Sequence, residues 1–199
     1  MHPTSVRGYT LAELCAALAL LGLVFSASVP ALREILAEES LATASREVAG
    51  ILTAARARAV FQNAEVGVKW IATGSDLVLT VYQDGNGDGV RTADIKKGID
   101  RLVAGPYWLG SRHPGISFSF VPGMNGLDPS GAPIGSLSDP IRFGKSDICS
   151  FSPIGNASPG TVYLSNRNRR QAAVRVTPTT ARIQIWTWHG KKIKWIPRW

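Results

Sequence analysis

The chain has 199 residues, of which 45% are hydrophobic and only 18% charged, enough for one packed domain and an added helical segment but not for two independent catalytic domains. Its 20 glycines and 12 prolines favour strands and turns, and the apolar content argues against long disordered stretches. The net charge of +8 is unevenly spread: residues 161–199 hold nine Lys and Arg and no Asp or Glu, whereas the remainder holds 13 basic against 14 acidic residues. The two cysteines, Cys15 in an apolar run and Cys149 far along the chain, form no disulfide framework, so cysteine usage does not set the compartment.

Residues 14–32, LCAALALLGLVFSASVPAL, carry no charge, and a helix of that length rises roughly 28 Å, close to the hydrocarbon thickness of a bilayer. An ordinary secretory signal has a basic start, a shorter apolar stretch and a small-residue cleavage site behind it. Here a short polar leader, MHPTSVRG, ends at Gly8, and a single acid, Glu13, stands at the mouth of the apolar run. An ionised carboxylate at the edge of hydrocarbon is unfavourable unless paired, so this placement predicts a cationic partner. Cleavage after Gly8 supplies one, the new amine of Tyr9.

The segment closely resembles the N-terminus of type IV prepilins: Gly8 before the cut, Tyr9 where Phe is usual, then Thr10, Leu11, Glu13 and Leu14. Ala12 stands where a larger aliphatic is common, and Gly22 and Pro30 fall where pilins often weaken the helix. The resemblance implies that a prepilin peptidase removes residues 1–8 and N-methylates Tyr9, and that Glu13 docks against a neighbouring subunit's amine. It further implies that 9–32 is a transmembrane and filament-core helix, and that the protein waits in the inner membrane before joining other pilin or pseudopilin subunits.

Beyond Pro30, apolar residues at Leu32, Ile35, Leu36, Leu41, Val48, Ile51, Leu52, Ala55 and Ala59 recur at helical spacing. They predict an amphipathic helix over 33–62 whose outer face carries Glu34, Glu38, Arg46 and Arg56. From 63 the period changes to two: EVGVKWIA, the turn Thr73-Gly74-Ser75 and DLVLTVYQ predict a β-hairpin. Further strands are predicted at 116–121, 140–143, 161–164, 172–176, 182–188 and 192–196, with an irregular Gly, Pro and Ser-rich loop between 122 and 139. The predicted fold class is therefore α+β, a long N-terminal helix packed on an antiparallel β head over 63–199. The closing segment GTVYLSNRNRRQAAVRVTPTTARIQIW is similar to the end of the head in the pseudopilin family called type II secretion protein H or FimT, with Ala181 where that family often has glycine. That resemblance implies a structural subunit of a type II secretion or type IV pilus filament, with a periplasmic head and no catalysis.

DGNGDGVRTAD places Asp84, Asn86 and Asp88 at alternate positions with Asp94 beyond, oxygens suited to a hard cation such as calcium. The twelfth position of an EF-hand loop would here be Ile95, and a turn capped by its own side chains accounts for the same residues. In the basic tail, Arg167, Arg169 and Arg170 cluster in a predicted turn, and Lys191, Lys192 and Lys194 lie near Trp188, Trp195 and Trp199. Such interleaving suits DNA, with phosphates held and bases stacked; core tryptophans beside an exposed basic strand, an acidic partner or anionic lipid explain it too. Catalysis has little support. His113 and His189 lack a nucleophile signature, FGKS at 143–146 lacks the upstream glycine of a P-loop, and Cys149 has no CxxC partner.

Overall fold

The computed structural model describes residues 8–73, 76–124, 126–166, 170–189 and 194–198, without the side chains at 27, 30, 31, 33, 34 and 189. The predicted leader up to residue 7 and the hairpin turn at Gly74-Ser75 lie outside the described residues. The fold is α+β, with an N-terminal helix and two antiparallel sheets.

Helix α1, Leu11–Gln62, runs through Gly22 and Pro30. The chain divides into two units, Met1–Ala37 and Glu38–Trp199, and α1 contributes to both. In the first unit Leu14, Leu18, Leu20, Leu21, Leu23, Val24 and Phe25 are all more than 50% exposed. Successive helical residues step round the axis at 3.6 per turn, and the run 14–25 holds no polar residue, so Cys15, Ala19 and Gly22 fill the arc these leave and every face is apolar. Leu32, Ile35 and Leu36, predicted to begin the buried stripe, are exposed as well. Among the described residues no helix is long and apolar enough to cross a membrane. The predicted span over 9–32 is therefore not found among them.

In the second unit Leu41, Ala44, Val48, Leu52, Ala55 and Ala59 form a stripe at three- and four-residue spacing, each at most 2% exposed. Past α1 the chain turns through Asn63, in the left-handed region at φ 49°. Strands β1, Val66–Thr73, and β2, Asp76–Gln83, then form the predicted hairpin, antiparallel with a register running from Val66 opposite Gln83 to Thr73 opposite Asp76. Helix α2, Thr92–Lys97, strand β3, Arg101–Trp108, and helix α3, Leu109–Arg112, follow. The remaining strands are β4, Ile141–Arg142, β5, Ile148–Phe151, β6, Gly160–Ser165, β7, Gln171–Val176, β8, Ile183–His189, and β9, Lys194–Arg198. One sheet has the order β3-β2-β1-β5 and the other β4-β6-β7-β8-β9.

The predictions at 140–143, 161–164, 172–176, 182–188 and 192–196 correspond to β4 and β6 to β9. The strand predicted at 116–121 does not form; this segment makes only an isolated bridge from Ser117 to Ser165. A buried side chain replaces the ladder: Gln171 accepts the Val121 N–H at 2.7 Å and donates to the Ser119 carbonyl at 2.9 Å. Those backbone groups are satisfied without a strand partner.

Alternation along β6 and β7 sorts two cores. Val162, Leu164, Ala172 and Val174 join the α1 stripe and Val66, Val68, Leu79 and Phe151 of the first sheet. Tyr163 and Ala173 point to the opposite face, where Met124 and Ile134 of the long loop and Trp188 cover them.

Candidate functional site

Gly8 and Tyr9 are exposed, Tyr9 to 91%, and a methyl group added at Gly8 would meet nothing within 4 Å. Thr10 then starts α1. Glu13 Oε2 accepts hydrogen bonds from the Thr10 N–H and hydroxyl, both at 2.9 Å, while the Glu13 N–H donates to the Thr10 hydroxyl at 3.2 Å. This is a reciprocal capping box, and it places the acid where the helix dipole favours negative charge. Within its own chain the carboxylate finds its donors three residues away. Among the described residues no cation pairs with it.

The 84–94 loop closes on its own backbone amides. Asp84 Oδ1 accepts the N–H groups of Asn86 at 3.0 Å and Gly87 at 2.9 Å, and its Oδ2 accepts that of Gly89 at 3.0 Å. Burial works to raise the Asp84 carboxyl, but the amides of Asn86, Gly89 and Gly87 outweigh it and hold the group below the usual carboxylate range. Asn86 Oδ1 takes the Asp88 N–H at 3.3 Å, and Asp88 pairs with Arg91 at 2.9 Å. Asp94 sits buried on α2. Among the described residues no group of three or more His, Cys, Asp and Glu could hold a metal ion. Of the residues expected to bind calcium, Asp84, Asn86 and Asp88 here close a turn on its own amides, the other reading of the same sequence, and Asp94 stands apart on α2. The residue that ties this turn down is Asp100, 2% exposed, whose carboxylate accepts the Arg91 N–H at 2.8 Å and the Gly85 N–H at 3.3 Å. Asp100 follows Gly98, which ends α2 in the left-handed region at φ 73°; such a helix-stopping glycine was the sequence signal available.

In the basic tail, Arg167, Arg169, Lys191, Lys192 and Trp199 lie outside the described residues, as does the His189 side chain. Arg170 pairs with Glu38 at 3.4 Å, and Lys194 is exposed on β9. Trp188 is 5% exposed and packs 5.5 Å from the half-buried Trp195, whose Nε1 donates to the Leu127 carbonyl at 2.8 Å. Trp195 also lies 5.9 Å from the buried Tyr163. These rings belong to the second core, which corrects the expectation that Trp188 and Trp195 interleave with lysines as a base-stacking surface.

A polar cluster absent from the sequence reading joins α1 to the end of α3. Glu47 accepts a hydrogen bond from Arg112 and pairs with His113 Nε2 at 2.7 Å, and the Arg112 guanidinium lies 5.7 Å over the Tyr107 ring. Burial tends to raise the Glu47 carboxyl, but His113 and Arg112 together hold it low. Cys149 is buried and its thiol pushed well up by desolvation, the opposite of a reactive thiolate. Phe143 of FGKS stacks on Trp70 at 5.1 Å inside the core.

No family model matches the chain, and no curated protein and no solved structure matches it.

Proposed function

We propose that this chain is a structural subunit of a pilin-like filament, of the minor pseudopilin or minor pilin kind, cut by a prepilin peptidase between Gly8 and Tyr9 and methylated at Tyr9. The observation that carries the reading is the first half of α1, apolar on every face, with its large apolar side chains exposed among the described residues. A helix apolar all round is stable only when something apolar surrounds it. The seven exposed side chains from Leu14 to Phe25 represent on the order of 10 kcal/mol of unrealised burial, which like helices of neighbouring subunits would supply. The open Gly8-Tyr9 junction supports access by a peptidase. A stage in the inner membrane with a periplasmic head belongs to the same proposal and rests on the uncharged run over 14–32. The filament serves secretion, a pilus or DNA uptake; the packing of Trp188 and Trp195 disfavours this head as the DNA-binding part. No catalytic step is assigned to the chain.

The test is the N-terminus of the mature protein, read by mass spectrometry after expression with a prepilin peptidase. The expected start is methylated Tyr9, and Gly8→Trp leaves the full precursor. A start after Ser26 or Ser28 marks an ordinary signal peptide and overturns the proposal.

A further inference from the structure

We propose that the head binds a single-chain anionic amphiphile, of the medium-chain fatty acid class, in a cavity between α1 and the second sheet. The cavity measures about 280 Å³. Its apolar walls are Leu41 and Ala42 of α1, Ala172 of β7 and Ile185 of β8, with Thr187 of β8 beside them. Ser45 also lines it, but its hydroxyl proton is already donated to the Leu41 carbonyl at 2.8 Å. An apolar cavity of about 150 Å³ takes up benzene, so one of roughly twice that volume suits a short acyl chain.

The rim decides the head group. Arg46, Arg170 and Arg198 stand at it with one carboxylate, Glu38. Glu38 divides its oxygens between Arg198 at 3.1 Å and Arg170 at 3.4 Å. Three guanidinium groups against one carboxylate leave a positive rim over an apolar interior, complementary to a carboxylate on an alkyl tail. Arg46 is exposed and has no ion pair among the described residues, so it is the group placed to receive the incoming carboxylate.

No buried side chain of the core precedes Leu41, so a chain starting at residue 33 keeps the whole described core. That fragment is titrated calorimetrically with decanoate, decanol and decyltrimethylammonium. Decanoate is expected to bind one to one and at least tenfold more tightly than the other two. Arg46→Glu weakens it at least tenfold, and Ala42→Phe, which fills the cavity from the helix, abolishes it while melting stays cooperative. The full chain in a non-ionic detergent gives the same ratio between the parent and Arg46→Glu, so the result does not depend on truncation. Absence of decanoate binding in both forms, equal affinity for the three amphiphiles, or indifference to both substitutions overturns the proposal. So does self-association of the fragment that Ala42→Phe abolishes, which makes a second copy of the chain the occupant.

Discussion

At Glu13 the capping geometry and the charge can be separated, because glutamine keeps an oxygen for the Thr10 donors but removes the ionised carboxylate. Glu13→Gln is expected to be cut normally and to enter filaments poorly; unchanged incorporation, measured by cross-linking to neighbouring subunits, would reduce Glu13 to a cap. Asp84 gives a prediction in pH. Its folded-state carboxyl lies below the ordinary value, so its contribution is complete above the usual carboxylate range and is lost as pH falls below about 4. Glu47 behaves the same way, whereas Glu65, pushed up by burial and by Asp84, acts with the opposite sign and loses its contribution as pH rises through that range. Hydrogen exchange of the Asn86, Gly87 and Gly89 amides should therefore lose protection below pH 4, after correction for the intrinsic rate. Protection unchanged down to about pH 2 would contradict the Asp84 contacts. Melting should be the same with calcium and with chelator, and a rise in Tm with calcium would restore the metal reading. Ala181 holds the left-handed turn where glycine is the easier choice, at φ 46° and fully buried. Relief of roughly 1–2 kcal/mol of strain in Ala181→Gly offsets a lost methyl and added unfolded-state entropy, so thermal unfolding should change by less than about 1 kcal/mol.

At the scale of elements, the two halves of α1 should respond differently to the same substitution. Leu52 is fully buried, and Leu52→Ala should destabilise the head by about 2–5 kcal/mol in denaturant unfolding. Leu21 is 53% exposed, and Leu21→Ala should leave head stability within about 0.5 kcal/mol while lowering incorporation into filaments. The sequence shows why both halves read alike: helical spacing announces an apolar helix, but Leu32, Ile35 and Leu36 look no different from Leu41 and Val48, because spacing does not say which chain supplies the cover. The β1–β2 hairpin and β6 to β9 were legible from local alternation. Strand β3 was not, since Leu102 is exposed and Gly105-Pro106 interrupts the pattern. β5 has only four residues. The acidic loop was legible as a turn or a metal site, and the choice between them hangs on Asp100, which reaches back to Gly85 through the tertiary fold. For Trp188 and Trp195, proximity in sequence to lysines reads the same whether the rings face solvent or Tyr163.

For the whole molecule, the buried side chains lie between Leu41 and Trp188, and the large exposed apolar side chains concentrate before Ala37. A chain divided in this way combines a packed domain with an apolar surface suited to other molecules, the division that the proposed filament subunit requires. The direct measurement places a photo-activated cross-linker at residue 21 in cells that carry the assembly machinery. The expected result is covalent adducts between this chain and other subunits with processed apolar N-terminal helices, lost when Gly8→Trp blocks cleavage. Cross-linking to lipid alone, or adducts that persist unchanged in the uncleaved variant, would contradict assembly through α1.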